Sequence, residues 1–364
     1  MVTCPPYQPR PSTRPGLGTF RRADCLRRRG RRVLRSLAPR SGSHPRTAPT
    51  TETGRETDLG GPGRCHRTPQ LGAVGRLAVQ AQVSFPVRYV ETDAQGVVYY
   101  ANHFAWFELG YEALLGLAGH HAPHGRPTVR EACCRYRAPI RYGEIVTVES
   151  RALAGEAEGL WVAHTIRVGR ELRAEGTTLL AGELPPATWN VVPERPASCF
   201  EEWSTLAPRG RVEEVTVRVR FAETEPTGAA HFCRYLGWLE VGRIAYLRRL
   251  GLDYARLQRL GSPFVIAWAG CRYLKPVAFD EPVRIQVWIE EVRSRSYVAG
   301  YRLLHGERGE PIAVGKTVQA FIDQEGRPTR IPEAARERLL AAHQGCESSG
   351  PPVVLRAPEA ASGC

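Results

Sequence analysis

Methionine and lysine are nearly missing from this sequence: Met1 is the only methionine among 364 residues, and Lys275 and Lys316 are the only lysines. The other basic residues are Arg, a bias that points to a GC-rich genome. Long apolar runs are missing too. No stretch approaches the roughly 18 unbroken apolar residues of a membrane-spanning helix, which excludes a helical membrane protein. The ten cysteines form no C-x-x-C pair, and no basic segment followed by an apolar stretch and a cleavage site opens the chain. A reduced, cytoplasmic setting is therefore expected. Adjacent Cys133 and Cys134 read as small buried residues of a strand, ahead of a metal site or a vicinal disulfide.

Acidic residues are scarce at one end only. Residues 1–80 hold 16 Arg against Asp24, Glu52, Glu56 and Asp58, so this segment carries nearly all of the net charge of +13 and the rest of the chain is close to neutral. Its Arg, Pro, Gly, Ser and Thr content buries too little apolar surface to offset backbone entropy, and residues 1–80 are expected to be disordered. Three origins fit: a nucleic-acid-binding arm, an Arg-rich transit peptide, or a stretch outside the native product because the start was placed too early. The near-neutral body disfavours a nucleic-acid partner.

From Val83 onward the chain repeats itself. At an offset of 132, Val83, Val87, Arg88, Glu91, Thr92, Gly96, Trp106, Glu108, Gly110, Ala113 and Leu115 recur as Val215, Val219, Arg220, Glu223, Thr224, Gly228, Trp238, Glu240, Gly242, Ala245 and Leu247, 11 identities in 36. Further on, Cys134-Arg135-Tyr136 and Pro139 match Cys271-Arg272-Tyr273 and Pro276 at an offset of 137, the shift falling in a loop.

Each copy opens with an alternating strand (Val83, Phe85, Val87, Tyr89; Val215, Val217, Val219, Phe221) that ends in a turn at Gly96 or Gly228. A helix follows, with its apolar face on Phe104, Phe107, Tyr111, Leu114 and Leu115, or on Leu236, Leu239, Ile244 and Leu247. Four more strands complete each copy. One long helix and an antiparallel sheet give an α+β arrangement with the sheet wrapped around the helix. The expected organisation is a first repeat over 81–183, a Pro-rich linker over 184–212, a second repeat over 213–325, a C-terminal helix within 326–344 and a frayed tail over 345–364.

The segment Glu91-Thr92-Asp93-Ala94-Gln95-Gly96-Val97-Val98-Tyr99-Tyr100-Ala101-Asn102, with Trp106, Phe107 and Glu108, resembles the signature of the 4-hydroxybenzoyl-CoA thioesterase family of hotdog-fold acyl-CoA thioesterases. Glu223-Thr224-Glu225-Pro226-Thr227-Gly228 through Trp238-Leu239-Glu240 resembles a diverged copy. The resemblance implies two tandem hotdog domains, an antiparallel sheet around a long helix in each, forming inside one chain the dimer that single-domain members build from two. Further homo-oligomerisation is open. The substrate implied is an acyl-CoA or acyl-carrier-protein thioester, with no cofactor, no metal and no membrane partner.

Thioester hydrolysis needs a group that attacks or activates water and donors for the oxyanion that forms on the carbonyl. A helix N-terminus offers unpaired N–H groups, and the turn at Gly96 brings Asp93 close to one. By resemblance Asp93 falls on the catalytic carboxylate, as nucleophile or base, and the Tyr100 amide on the oxyanion donor, with Asn102 orienting the carboxylate or the thioester and Gly96 and Tyr99 lining the substrate. An Asp before a turn Gly also reads as a plain turn or capping residue. In the second copy Glu225 replaces Asp93, Phe232 replaces Tyr100 and Arg234 replaces Asn102. The longer Glu225 and the cation of Arg234 predict one competent site at Asp93 and a second that is weak or a scaffold, with His231 as an alternative base. Arg135, Arg137, Arg141, Arg272 and Lys275 are candidates for the coenzyme A phosphates on charge, or are solvated strand edges. Trp106 and Trp238 read as core packing, and His120, His121 and His124 as a solvated loop.

Two other functions compete. A hotdog dehydratase or hydratase needs a His paired with an acid, but His103 and His231 follow the turn glycine too closely for that pattern. A non-catalytic acyl-CoA or acyl-carrier binding protein would use Asp93 and Glu225 only to cap turns.

Overall fold

Period-two alternation and helical spacing give the first half five strands and one helix: β1 (Gln80–Pro86), α1 (Asn102–Leu117), β2 (Thr128–Tyr136), β3 (Ile145–Ala152), β4 (Leu160–Val168) and β5 (Glu171–Ala181). The second half repeats the set as β6 (Glu213–Arg218), α2 (Arg234–Arg249), β7 (Phe264–Tyr273), β8 (Pro282–Val292), β9 (Ser296–His305) and β10 (Pro311–Phe321), and adds α3 (Glu333–Gln344). The structure, a computed structural model, describes residues 80–117, 126–153, 159–182, 206–252, 257 and 263–346, all within one unit spanning Pro69–Cys364. Expectations for residues 1–79, most of the linker, His120, His121, His124 and the last 18 residues lie outside the described residues.

The ten strands form one antiparallel sheet in the order β1-β3-β4-β5-β2-β7-β10-β9-β8-β6. Read from either edge the order is the same, so the halves are related by a pseudo-two-fold. The seam is the β2–β7 pair, in register from Glu131 opposite Arg272 to Arg135 opposite Trp268. Two helix-on-sheet layers joined edge to edge in this way are the tandem hotdog pair, an internal pseudo-dimer whose central strands are no longer edges.

Each helix lies on its own half of the sheet. The buried face of α1 comprises His103, Phe104, Trp106, Phe107, Gly110, Tyr111, Leu114 and Leu115. The helix approaches the sheet at the repeated glycine: a Cβ at Gly110 would lie 2.1 Å from Ser150 Oγ, and one at Gly242 would lie 2.8 Å from Ile285 Cγ2. Only a residue without a side chain fits there. Beneath α1, Ser150 Oγ meets His164 Nδ1 at 2.8 Å and His164 Nε2 meets Thr178 Oγ1 at 3.1 Å, with the Phe107 ring stacked on the imidazole. Burial pushes His164 down to about 3, so the ring is neutral.

Two features depart from the sequence expectation. The alternation that ran to Tyr89 and Phe221 stops at Pro86 and Arg218, because Arg88–Glu91 and Arg220–Glu223 close single 3-10 turns. Tyr89 and Phe221 are exposed and stand edge-on to Tyr142 and Phe279. On α2, Ile244 is only half-buried, and Arg243 takes the inward position. Its guanidinium lies 3.4 Å from the Tyr301 hydroxyl and 5.6 Å from the centre of the Tyr100 ring. A charge on the buried face is invisible to a hydrophobic pattern.

Cys134 is free and fully buried, so it forms no disulfide with its neighbour. The α3 helix begins after Pro332 and ends at Gly345, which takes the left-handed conformation at φ 78°. Among the described residues no helix is long and apolar enough to cross a membrane.

Candidate active site

Both halves build the same turn ahead of the helix. Asp93 N–H donates to Val97 O at 2.8 Å and Gly96 N–H to Asp93 O at 2.9 Å; Glu225 N–H donates to Ala229 O at 2.9 Å and Gly228 N–H to Glu225 O at 2.8 Å. Gly96 and Gly228 have φ of 71° and 84°, a region other residues enter at a cost, which explains their recurrence. A buried carboxylate staples each turn to its helix. Glu91 accepts the Arg88 N–H at 2.8 Å, the Arg88 guanidinium at 3.0 Å and the Trp106 indole N–H at 3.0 Å. Glu223 does the same for Arg220 and Trp238. Burial opposes both charges, yet these donors hold both carboxyls below their ordinary range. The repeated Arg, Glu and Trp are thus accounted for by structure.

In the first half Asp93 is half-buried, and its Oδ1 accepts the Gln95 N–H at 2.8 Å. Burial, reinforced by the Glu240 carboxylate of the second half, raises its pKa above the ordinary value. Tyr99 lies beside Glu240, and burial pushes its phenol up strongly. Tyr100 is pinned on two sides: its hydroxyl donates to the Leu236 carbonyl on α2, and its carbonyl accepts the Tyr136 hydroxyl at 2.9 Å. Tyr99 N–H donates to Glu91 O and Asn102 N–H to Tyr99 O, whereas the Tyr100 and Ala101 N–H groups donate to no backbone oxygen among the described residues. The Asn102 side-chain amide donates to the Glu91 carbonyl at 2.9 Å and braces the loop.

The second half keeps the backbone and changes the chemistry. Glu225 is half-buried and accepts the Thr227 hydroxyl at 2.8 Å; Phe232 is buried and Arg234 is exposed. His231 Nδ1 lies 3.0 Å from Cys233 Sγ, and Nε2 donates to Glu108 Oε1 of α1 at 3.0 Å. Burial works against a charged ring, but the bonds to Cys233 and Glu108 outweigh it and carry His231 up to about 10. Glu108 is held below its ordinary range against its own burial by His231 and Arg126, and Arg126 also pairs with Glu112. A pocket of 410 Å³ is lined by Glu108, Arg126, Glu225, His231, Cys233 and Arg234, among others.

Three residues of these sites were not singled out as candidates from the sequence. Glu108 and Glu240 were visible as a repeated identity, and Cys233 as the thiol that answers Ala101 directly after His231-Phe232. What was missing was the crossing: each helix carboxylate serves the other half's turn.

Arg135 and Arg272 are not brought to either site. Their neighbours Cys134, Tyr136, Cys271 and Tyr273 face the helices, Tyr136 against His103 and Tyr273 against Tyr235. Alternation therefore sends Arg135 and Arg272 out of the opposite face of the sheet. Arg137 pairs with Glu175 and Lys275 with Glu310. His103 is a core residue between Trp106 and Tyr136, and burial pushes it down to about 4. Among the described residues no cluster of three or more His, Cys, Asp or Glu is placed to hold a metal ion.

Two family models match this chain, the "Thioesterase superfamily" over residues 95–156 and the "Thioesterase-like superfamily" over residues 219–339. The chain belongs to the thioesterase superfamily. Thioester hydrolysis is the activity that this membership assigns. A Bacillus subtilis (strain 168) protein named "Putative acyl-CoA thioesterase YneP" is 29% identical over 114 residues, which cover 31% of this chain and 82% of that protein. A Synechocystis protein named "Putative esterase sll0410" is 30% identical over 133 residues, 36% of this chain and 80% of that protein. In fold, the chain is similar to the 12:0-ACP thioesterase from Umbellularia californica, with a TM-score of 0.52 at 12% identity, covering 67% of this chain and 94% of that one.

Proposed function

We propose that this thioesterase hydrolyses an acyl-CoA or acyl-carrier thioester to the free acid and thiol at the site centred on Asp93. Asp93 attacks the carbonyl or activates the water that does, and the Tyr100 amide at the start of α1 receives the oxyanion. The observation that supports this reading is a half-buried carboxylate with a raised pKa in the turn ahead of α1, close enough to the second half to feel the Glu240 charge. A carboxyl lifted toward neutrality is a better base than an ordinary surface Asp. Tyr99 and Glu240 close the site from the side, and Tyr100 is fixed by its bonds to Leu236 and Tyr136, so its amide is preorganised.

The test is release of free thiol from aromatic, short-chain and long-chain acyl-CoA thioesters by the full chain and its Asp93→Asn variant. Turnover that falls in Asp93→Asn supports the reading, and the best substrate describes the acyl pocket. Unchanged turnover in Asp93→Asn overturns it.

A further inference from the structure

The second site reads as a worn copy of the first only if Glu225 is compared with Asp93. Compared at the two positions that answer Tyr99 and Ala101, it is a different machine. His231 and Cys233 are two residues apart on a bend leading into α2, which points both side chains into one pocket. The imidazole joins the Cys233 sulfur on one nitrogen to the Glu108 carboxylate on the other, both at 3.0 Å. Glu108 comes from the other half of the chain, so the relay exists only because the halves are docked. Cys233 directly precedes the first residue of α2, where unpaired amides and the helix dipole favour an anion. The remaining charged groups around the imidazole are Arg126, Glu112, Glu225 and Arg234. Arg126 bonds Glu108 at 2.8 Å and so fixes the carboxylate that orients the ring.

A thiol, a base in contact with it and an acid behind the base are the parts of nucleophilic catalysis. We propose that Cys233 is the nucleophile of a second reaction centre that accepts acyl thioesters, with His231 as its base and Glu108 as the residue that positions His231. The choice of acyl thioester as the donor rests on the thioesterase reading above. The proton shared between Cys233 Sγ and His231 Nδ1 rests on the ring, and the sulfur attacks the carbonyl carbon as the thiolate paired with that imidazolium. The new carbon–sulfur bond forms, the bond to the departing thiolate breaks, and His231 Nδ1 gives its proton to that thiolate. Water then attacks the Cys233 thioester with Nδ1 taking its proton, and the acid leaves as the Cys233 thiolate is restored beside the imidazolium. Glu225 lies in the same pocket and, with its longer side chain, is not required for either step.

The experiment uses the full chain. Iodoacetamide labelling at pH 7, read by peptide mass spectrometry, compares Cys233 with the exposed free Cys346 as an internal reference. Labelling of Cys233 is expected to slow by about tenfold or more in His231→Asn, with Cys346 unchanged. In Glu108→Gln, which keeps a hydrogen-bond acceptor and loses the charge, the pH at which Cys233 labels moves up. Octanoyl-CoA and benzoyl-CoA are then mixed with Asp93→Asn protein and quenched in acid during the first turnover. An acyl mass on the Cys233 peptide, absent in Asp93→Asn/Cys233→Ser, supports the proposal. A Cys233 that labels equally fast in wild type and His231→Asn overturns it, and so does a Cys233 left unacylated by thioesters that the wild type cleaves. If the wild type cleaves neither thioester and Cys233 stays unacylated, the thioesterase reading fails first and the acyl-transfer step falls with it.

Discussion

Glu108 on α1 holds His231 of the second half at 3.0 Å, at the position where Glu240 on α2 faces Tyr99 of the first half. The pseudo-two-fold makes these two crossings equivalent in backbone and unlike in chemistry. In the first half the carboxylate sits beside a phenol and adds its charge to the surroundings of Asp93. A carboxylate beside an imidazole makes an ion pair, and the imidazole reaches a thiol.

The Asp93 site should show its electrostatics in a pH profile. Burial and the Glu240 charge both raise the Asp93 pKa above the ordinary 3.8, and a base must be ionised to act. In kcat/KM for thiol release, the acid limb is therefore expected to lie above the ordinary carboxylate range. Glu240→Gln removes a like charge and should move that limb to lower pH. A limb that moves upward, or stays in place, contradicts the assignment of Asp93 as the titrating group.

The His231–Glu108 pair makes stability depend on alkaline pH. The folded pKa of His231, about 10, lies above its ordinary 6.5, so the folded state keeps a proton that the unfolded state loses. Its contribution is full below about pH 6.5 and is lost as pH rises through about 10. Thermal unfolding midpoints measured from pH 6 to 10 should fall more steeply in the wild type than in His231→Asn, whose curve lacks this contribution. Parallel curves would mean that the ring is not charged in the folded protein.

At the helix–sheet contact, Gly110→Ala is expected to cost about 1–3 kcal/mol in urea unfolding. The new Cβ would meet Ser150 Oγ, which the hydrogen bond to His164 holds in place. Gly242→Ala should cost less, because the nearest atom there lies 2.8 Å away instead of 2.1 Å. The reverse order would show that the first half relaxes more easily than its polar network implies.

The carboxylate staples are expected to be worth about 1–3 kcal/mol each, because Glu91→Ala or Glu223→Ala strands a buried indole donor. Replacing the donor as well, in Glu91→Ala/Trp106→Phe, should cost less than the two single changes added together. Additive losses in chemical denaturation would place Trp106 outside the staple.

The repeat at constant offset, the alternation of each strand and the apolar face of each helix were enough to read two α+β halves and the turn that carries Asp93. Those features are local, written in spacings of two to four residues, and backbone geometry follows from them. Arg243 and the exposed Tyr89 and Phe221 escaped because periodicity assumes that apolar residues turn inward and charged ones outward, and here an inward guanidinium found Tyr301 and the Tyr100 ring. Arg135 and Arg272 were placed by charge, while strand alternation decided their face. The second site was the least legible. Glu108 and His231 are 123 positions apart, and no local pattern says which helix crosses to which turn. Only the docking of the two halves along β2 and β7 brings a carboxylate, an imidazole and a thiol into one pocket, because hydrogen bonds of 3.0 Å are set by tertiary position and not by residue type.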